Sequence, residues 1–600
     1  MKLLISLIEA IVLILGAASV EELDPADVER FEWRSAHPLG INSASRQKLS
    51  ESGLFTDFQT ASLLDYIERT GPVLSRSELS YVDGFNAEIA EALSFFISFD
   101  ESPPPKARWR PEGSLYSDFT ASIRHGTSAD YSGGYGAYAR VERGETLELA
   151  LGGAGAWNAQ TGASGKSASS SGKVISSLKS FTFSAAATLP GKRVRLYAGD
   201  FNLRFGQGLS QWSTMSIDDP SSAMSLIRRP TGLKTSRSRS GNYAQTGLGA
   251  TFETRRLTLT GVVTVPNLKT VLINTANSTR KKSDVAGVQA LVNVNWWERW
   301  VSCGLTSTVL CLPAARTPAV SAEGISAAPG GIEWRCTADF AADFRGCFKG
   351  VSLAGEVAGG YGMPFRATLS CVSPRLAEHF RIGASLRYAP QRHIAVLTSE
   401  YSARSGHAAS LSLRLRHVEA KTSSATSPPK ITDDIRIDSR YKFRWQENSF
   451  AALRIRETLN LNDLKSSVFN CRGDVAAGYC DIWASGGSVS FSKSSKWGMV
   501  AYLEQICRKE GIVAAYLRAG IFSVDDWSGR IYVYEHDVDG RFNVPAFYGR
   551  GVWTSLFASW RFCRWGKLSA RAAYFSYPFM RPSDRKPDNV EARILLTLMF

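Results

Sequence analysis

Arg593-Ile594-Leu595-Leu596-Thr597-Leu598-Met599-Phe600 closes the chain, and its two faces differ. Ile594, Leu596, Leu598 and Phe600 fall on one side of an extended strand, and Arg593, Leu595, Thr597 and Met599 fall on the other, because successive side chains of a β-strand point to opposite faces. The same period of two recurs upstream. Phe380, Ile382, Leu386 and Tyr388 alternate with Arg381, Gly383, Ser385 and Arg387. Leu411, Leu413 and Leu415 alternate with Ser412, Arg414 and Arg416, and Tyr441, Phe443 and Trp445 with Arg440, Lys442 and Arg444. Leu453 and Ile455 alternate with Arg454 and Arg456, and Val194 and Leu196 with Arg193 and Arg195. The pattern holds from about Tyr116 to the end of the chain, which predicts strands throughout that region.

A soluble sandwich also alternates, so the compartment matters. Lys2, an apolar run from Leu3 to Leu15 and the small residues Gly16, Ala17, Ala18 and Ser19 read as a secretory signal peptide, residues 1–19, although Glu9 interrupts the apolar run. Hydrophobic residues make up 44% of the 600-residue chain, yet no later segment is apolar enough for a membrane helix. Strands with one apolar face need no such segment when they close into a barrel facing lipid. The nine cysteines include no CxxC pair, and their odd number leaves at least one thiol unpaired or bridged to another chain. Those within strand-like runs, such as Cys303 and Cys371, read as small apolar side chains.

Connection lengths support a membrane barrel. Short links fall near Arg143-Gly144, Pro190-Gly191, Arg255-Arg256, Trp297-Glu298, Glu447-Asn448 and Arg564-Trp565. Longer polar segments lie between them, at 157–178, 204–242, 266–284, 313–330, 419–435 and 578–590. Short turns on one side and long loops on the other are the rule for such barrels. Entry and exit on the same side require an even number of strands, about 24 by this pattern, within a range of 20–26. Trp296, Trp297, Trp300, Trp445, Trp560 and Trp565 gather at the short turns, where an interfacial aromatic girdle is expected. The aromatic C-terminus on an alternating strand resembles the ending of outer-membrane β-barrel proteins. The resemblance implies contact with outer-membrane lipid and with barrel-assembly machinery through the strand ending at Phe600.

Charge divides the chain in two. Residues 21–100 hold 6 Lys+Arg against 15 Asp+Glu, and residues 101–600 hold 63 against 39. Pro103, Pro104 and Pro105 mark the junction as a stiff linker. The expected layout is a helical domain over 20–101, a linker over 102–114 and the barrel over 115–600. Within the first domain a helix is expected from Asp24 to Ala36, and Asn42 is expected to cap the next. Two hairpin spellings follow: Leu49-Ser-Glu-Ser-Gly-Leu-Phe55 and Leu79-Ser-Tyr-Val-Asp-Gly-Phe85.

These hairpins are similar to those of tandem helix-hairpin-helix domains of the competence (ComEA-like) type. The family's hairpin glycines map onto Gly53 and Gly84, followed by Leu54 and Phe85; Phe55 and Asn86 replace its second glycine in each hairpin. The resemblance implies backbone N–H groups at a helix start facing phosphate, with Arg46, Lys48 and Arg76 as DNA contacts. The domain's acidic balance favours the other reading, a module that docks a periplasmic protein, since nonspecific DNA affinity needs cations. Gly199-Asp-Phe-Asn-Leu-Arg-Phe-Gly-Gln-Gly-Leu209, with Arg228 to Lys234 after it, resembles a segment recurrent in Gram-negative barrel proteins that carry an N-terminal helix-hairpin-helix domain. Its glycines are expected to turn the chain off a strand into a loop that folds into the lumen.

No catalytic constellation, metal-ligand spacing or cofactor motif stands out, so neither enzymatic activity nor a cofactor is expected. Gly165-Lys166-Ser167 imitates a P-loop, but Gln160 stands where the first glycine belongs, and a Ser/Gly-rich loop is the preferred reading. The lumen face collects Arg193, Arg195, Arg381, Arg387, Arg414, Arg416, Arg440, Lys442, Arg444, Arg454, Arg456, Arg571 and Arg593. Three explanations compete: pairing with acids such as Glu148 or Glu253 on nearby strands, a cationic pore that favours anions, and docking of the acidic module at the barrel mouth. The functional expectation is binding and transport at the outer membrane, with DNA handling by the module. The alternatives are an anion- or polyanion-selective pore and a structural or assembly barrel whose lumen is plugged.

Overall fold

In the computed structural model, the described residues run from Pro25 to Met599, together with Ala10, Ile11 and Ile14. They exclude 100–108, 125–127, 163–174, 214–221, 237–243, 280–285, 316–331 and 421–429 and a few single or paired positions, mostly in turns. Phe600 and the P-loop-like segment lie outside them.

A closed antiparallel barrel of 24 strands occupies Trp109 to Met599. Each strand pairs with its sequence neighbour, and Asp588–Met599 closes the ring on Trp109–Arg124, with Met599 opposite Glu112 and Asp588 opposite Ile123. An even strand number returns the last strand to the side where the first began. The outer face is apolar: Leu305, Leu386, Leu411, Leu503 and Ile594 are all exposed. No water-facing sheet tolerates so continuous an apolar belt, whereas lipid requires one. Trp109, Trp296, Trp445, Trp483, Trp560 and Trp565 are exposed at the short-turn rim, and Trp334 and Trp497 at the opposite rim. Cys311 and Cys336, directly opposite in neighbouring strands, form a disulfide; the other seven cysteines are free.

Several boundaries differ from expectation. The first strand begins at Trp109, inside the stretch expected to be linker. Strands also run to Gly162, Ala315 and Ala420, into segments expected to be loop, and Lys430 and Asp588 begin strands earlier than expected. Beyond the lipid, a hairpin arm is wetted on both faces, so polarity no longer separates strand from loop. The segment expected as loop at 266–284 contains a helix, Leu268–Ala276.

Between Pro25 and the barrel the described residues form five helices: α1 (Pro25–Ala36), α2 (Arg46–Glu51), α3 (Asp57–Thr70), α4 (Arg76–Leu79) and α5 (Ala87–Leu93). α2–α3 and α4–α5 form two helical hairpins that repeat one another. Gly53 and Gly84 both take positive φ, 69° and 88°, which an L side chain adopts at a cost. Leu49, Phe55, Leu79 and Phe85 are fully buried, and the two phenylalanines meet edge to face at 6.1 Å. Thr56 caps α3 in a reciprocal box with Gln59, whose side-chain N–H also donates to the Gly84 carbonyl at 2.9 Å and ties the hairpins together. Asn42 does not cap α2. Its amide donates to the Val73 and Phe99 carbonyls and accepts from Val73 N, all at 2.9 Å, because a side-chain amide can satisfy donor and acceptor of an extended segment together. Ala10, Ile11 and Ile14 are buried in the same apolar cluster as Phe31 and Phe96.

Candidate functional site: a filled lumen

The lumen wall is polar, as barrel interiors are, but two of its sectors are apolar, and each carries an infolded segment. The first segment parts from the wall strand Ile175–Thr188 at Gly199. Val194–Arg204 pairs with Gln245–Glu253 up to Phe201, then from Phe201 to Arg204 with a short inner strand, Gly232–Thr235. Phe201, Leu203, Phe205 and Leu233 pack on Leu291 and Val262 of the wall. Further on, Ala223, Leu226 and Ile227 pack on Val372, Ile394 and Val396. Between these two apolar contacts the segment is pinned by one carboxylate. Glu356 accepts from the backbone N–H groups of Gln207 (2.6 Å), Leu209 (3.0 Å) and Ser210 (3.2 Å). Gly206 permits this approach, since a Cβ there would lie 2.8 Å from the carboxyl carbon of Glu356. The expectation that this segment folds inward therefore matches the structure.

The second infolded segment, 525–548, was not anticipated. Ile531–Tyr532 pairs with Ala546–Phe547, and Phe547 packs on Trp553 and Phe575 of the wall. Its acidic residues alternate and take wall cations. Buried Glu535 accepts from Arg571 and from the Trp553 indole N–H (2.8 Å), Asp537 accepts from Arg593, and Asp539 from Lys567 (2.5 Å). His536 is stacked on Tyr516 at 3.7 Å and lies 3.6 Å from Glu504. Burial and the nearby Arg518 and Arg508 hold its imidazole well below the ordinary histidine value.

The helical domain meets both segments and the wall. Asp27 of α1 accepts from Arg204 at 2.5 Å and pairs with Arg30 at 2.9 Å. Burial raises its pKa, but the arginines outweigh that and hold the carboxyl below the usual range. Arg229 of the first segment donates to the Gly53 and Leu54 carbonyls, both at 3.3 Å. Gly540 N of the second donates to Glu32 at 3.1 Å, and Tyr534 and Phe542 pack on the domain's core. At the short-turn end, Glu91 of α5 pairs with Arg444 at 2.9 Å, and α3 contacts Ile332–Phe348. Trp297, expected in the girdle, faces inward between Arg345 and Arg46.

Most of the expected lumen arginines have acidic partners. Arg195 pairs with Glu148 as anticipated, at 3.4 Å, and Arg381 with Glu400 at 3.1 Å. Asp434 serves Arg414 and Arg416, and Asp438 serves Arg440, Arg454 and Arg456. Arg571 also reaches Glu591. Arg387 donates to the Gln207 carbonyl, and Lys442 lies over the Phe450 ring. Arg193 is a correction: it is exposed in the turn before Val194, outside the ladder, and Glu253 meets its backbone carbonyl through a backbone bond. Of the expected DNA contacts, Lys48 is exposed and Arg76 half-buried, while Arg46 lies against Trp297, so the structure does not gather the three. No group of three or more metal-ligating side chains occurs among the described residues.

A closed 24-strand barrel with a lipid-facing belt and a polar interior is the architecture of an outer-membrane β-barrel. No protein-family description and no curated protein sequence matches the chain. Among solved structures it is similar to the translocation pore of the P pilus usher PapC, at 9% identity and a TM-score of 0.36, over 82% of this chain and 99% of that one. It is also similar to the ferric enterobactin receptor PfeA of Pseudomonas aeruginosa, at 11% identity and a TM-score of 0.40, over 83% and 82%. The siderophore receptor PirA of Acinetobacter baumannii matches at 7% identity and a TM-score of 0.38, over 82% and 80%. At these scores no site or activity carries across.

Proposed function

We propose that the chain is a plugged outer-membrane transport barrel whose acidic helical domain, on the periplasmic side, serves as the plug, with no enzymatic step of its own. The observation that supports this reading is the three-way contact of Asp27 with Arg204, Glu91 with Arg444 and Arg229 with the Gly53–Leu54 turn. A barrel of this strand number is wide enough to need filling. Opposite charge on domain and wall orients the docking. Ion pairs and hydrogen bonds hold the plug alongside the apolar packing of Tyr534 and Phe542, and polar contacts of this kind suit a part that must move for a solute to pass. Planar-bilayer recording of the full chain tests it. Wild type should conduct little, and the double variant Asp27→Asn, Glu91→Lys should open it. A wild-type pore that is permanently open, or a double variant that stays closed, defeats the plug.

The helix-hairpin-helix resemblance supports a second reading, DNA handling by the module. The repeated hairpins with left-handed Gly53 and Gly84 favour it. In the docked state, however, the first hairpin's carbonyls are taken by Arg229. DNA binding by the full chain over a salt series, with and without Lys48→Glu and Arg76→Glu, decides this. Salt-insensitive or absent binding removes it.

A further inference from the structure

Where the first infolded segment parts from the wall, side chains take over from strand pairing. Of the fourteen residues Ile175–Thr188, Ser184–Thr188 pair with Arg195–Gly199 of the next strand. Gly199, at a φ of 87°, then turns its strand inward, and a Cβ there would collide with the Phe183 carbonyl oxygen. Above that point two side chains hold the edge of Ile175–Thr188. The Asn277 amide accepts from Leu178 N at 2.8 Å and donates to Leu178 O at 2.7 Å. The Asp200 carboxylate accepts from Phe183 N at 3.0 Å, from Thr246 Oγ1 at 2.7 Å and from Lys269 Nζ at 2.6 Å. Lys269 and Asn277 belong to the helix Leu268–Ala276 and its C-cap, and this helix contacts the strand Ile175–Thr188. Backbone groups at membrane depth must be satisfied within the protein. A ladder does so with a whole strand, whereas each bond here opens when one side chain turns away. A tilted strand crosses an apolar band ~25 Å tall in about ten residues. Counted up from the short turn after Leu189, Phe183 lies in mid-belt and Leu178 at its outer edge. Both mouths of this seam are apolar. Phe183 and Leu248 are exposed on the lipid side, and Phe201, Leu203 and Leu233 pack on Val262 on the lumen side.

We infer that this seam is a lateral gate between the lumen and the outer half of the membrane, closed by the helix Leu268–Ala276, and that it passes a molecule with a long apolar body, of the fatty-acyl type. Lys269 on Asp200 and Asn277 on Leu178 are its two latches, one at each end of the helix. When both release, the edge at 178–183 parts from the helix while the pairing of Ser184–Thr188 keeps the wall intact below. An ion or a sugar would lose its hydration between these apolar mouths, whereas an acyl chain stays out of water throughout. The gate rests on the transport reading above and gives that barrel a substrate class and an exit.

The test uses the full chain in lipid nanodiscs, with hydrogen exchange for the latches and a diazirine-bearing palmitate for the solute. Each latch is read at the other. Lys269→Met should speed exchange of the Leu178 amide, and Asn277→Ala that of the Phe183 amide, each by at least about tenfold. Lys269→Arg keeps the latch and should hold the wild-type rates. Two independent hydrogen bonds would change only the near amide, which overturns the gate. The palmitate probe should label the inner residues 201–205 and 233 in wild type, and several-fold more in the variant with both latches removed. A diazirine-bearing glucose should show no such increase, and an equal increase would overturn the apolar substrate class. Labelling confined to lipid-facing residues in every variant overturns the gate. If the latch variants do not assemble, wild type decides: inner labelling that unmodified palmitate competes away supports the gate, and its absence refutes it. Conductance keeps the two readings apart. A wild-type pore that stands open but shows latch-dependent labelling defeats the plug alone, and a plugged pore without inner labelling defeats the gate alone.

Discussion

Glu356→Gln should release the first infolded segment while leaving the barrel closed. In wild type one carboxylate accepts three backbone N–H groups, two on one oxygen and one on the other. A hydrogen bond to a charged partner contributes about 1.5–3 kcal/mol. Glutamine has the same shape and keeps one oxygen, so it retains neutral bonds to Gln207 and Leu209 or to Ser210, but it turns an N–H toward the rest. Losing one charge-assisted bond and weakening the others costs ~2–3 kcal/mol, allowing for non-additivity. At 1.4 kcal/mol per factor of ten, that is about 30- to 150-fold in the opening equilibrium. Native-state hydrogen exchange reads this opening residue by residue. Exchange at Gln207, Leu209 and Ser210 should accelerate by that factor, while the strand holding residue 356 and the segment 525–548 keep their rates. If the three amides exchange within threefold of wild type, the carboxylate does not hold the segment, and the apolar seat of Leu226 and Ile227 on Ile394 and Val396 does so alone.

Other expectations follow from the same contacts. Asp27→Asn leaves Arg204 and Arg30 without their buried carboxylate, a loss of ~3–5 kcal/mol in docking; exchange in 25–36 should rise by at least 10²-fold. His536 is buried against Tyr516, Tyr534, Glu504 and Arg518, and its folded pKa is depressed. The released segment therefore binds a proton near pH 6.5 that the docked one does not, so docking of 525–548 is constant above that pH and weakens below it. The slope is at most about 1.4 kcal/mol per pH unit. Limited proteolysis of 525–548 between pH 7.5 and 5.5 should show this, and His536→Gln should flatten the response. Leu503, at the middle of Trp497–Lys509 and 74% exposed, faces lipid; Leu503→Arg should cost ~2–4 kcal/mol in bilayer unfolding titrations, whereas an unchanged midpoint would place that face in water.

The strands and their number were legible because membrane strands obey one strict period, and the closing strand states it: Ile594 faces out, while Leu595 and Thr597 are buried inside. What fills the lumen was less legible, yet it left marks. A strand apolar on both faces has something apolar on its inner side. Ile394, Ala395, Val396 and Leu397 form such a run, and Ile394 and Val396 seat the first infolded segment. Trp553 and Phe557 in the alternating strand Gly549–Cys563 point inward, and the second segment covers them. Glu535, Asp537 and Asp539 alternate beside it and answer Arg571, Arg593 and Lys567 on the wall. The surplus of lumen arginine is thus divided by position. Arg381, Arg414, Arg416, Arg440, Arg454 and Arg456 are matched from within the wall. Arg571 and Arg593 are matched from the second infolded segment, and Arg444 from the helical domain. Charge counted along the chain could show that an acidic domain and a basic barrel belong together, but not which arginine belongs to which body, because that depends on strand register and on where each loop turns inward.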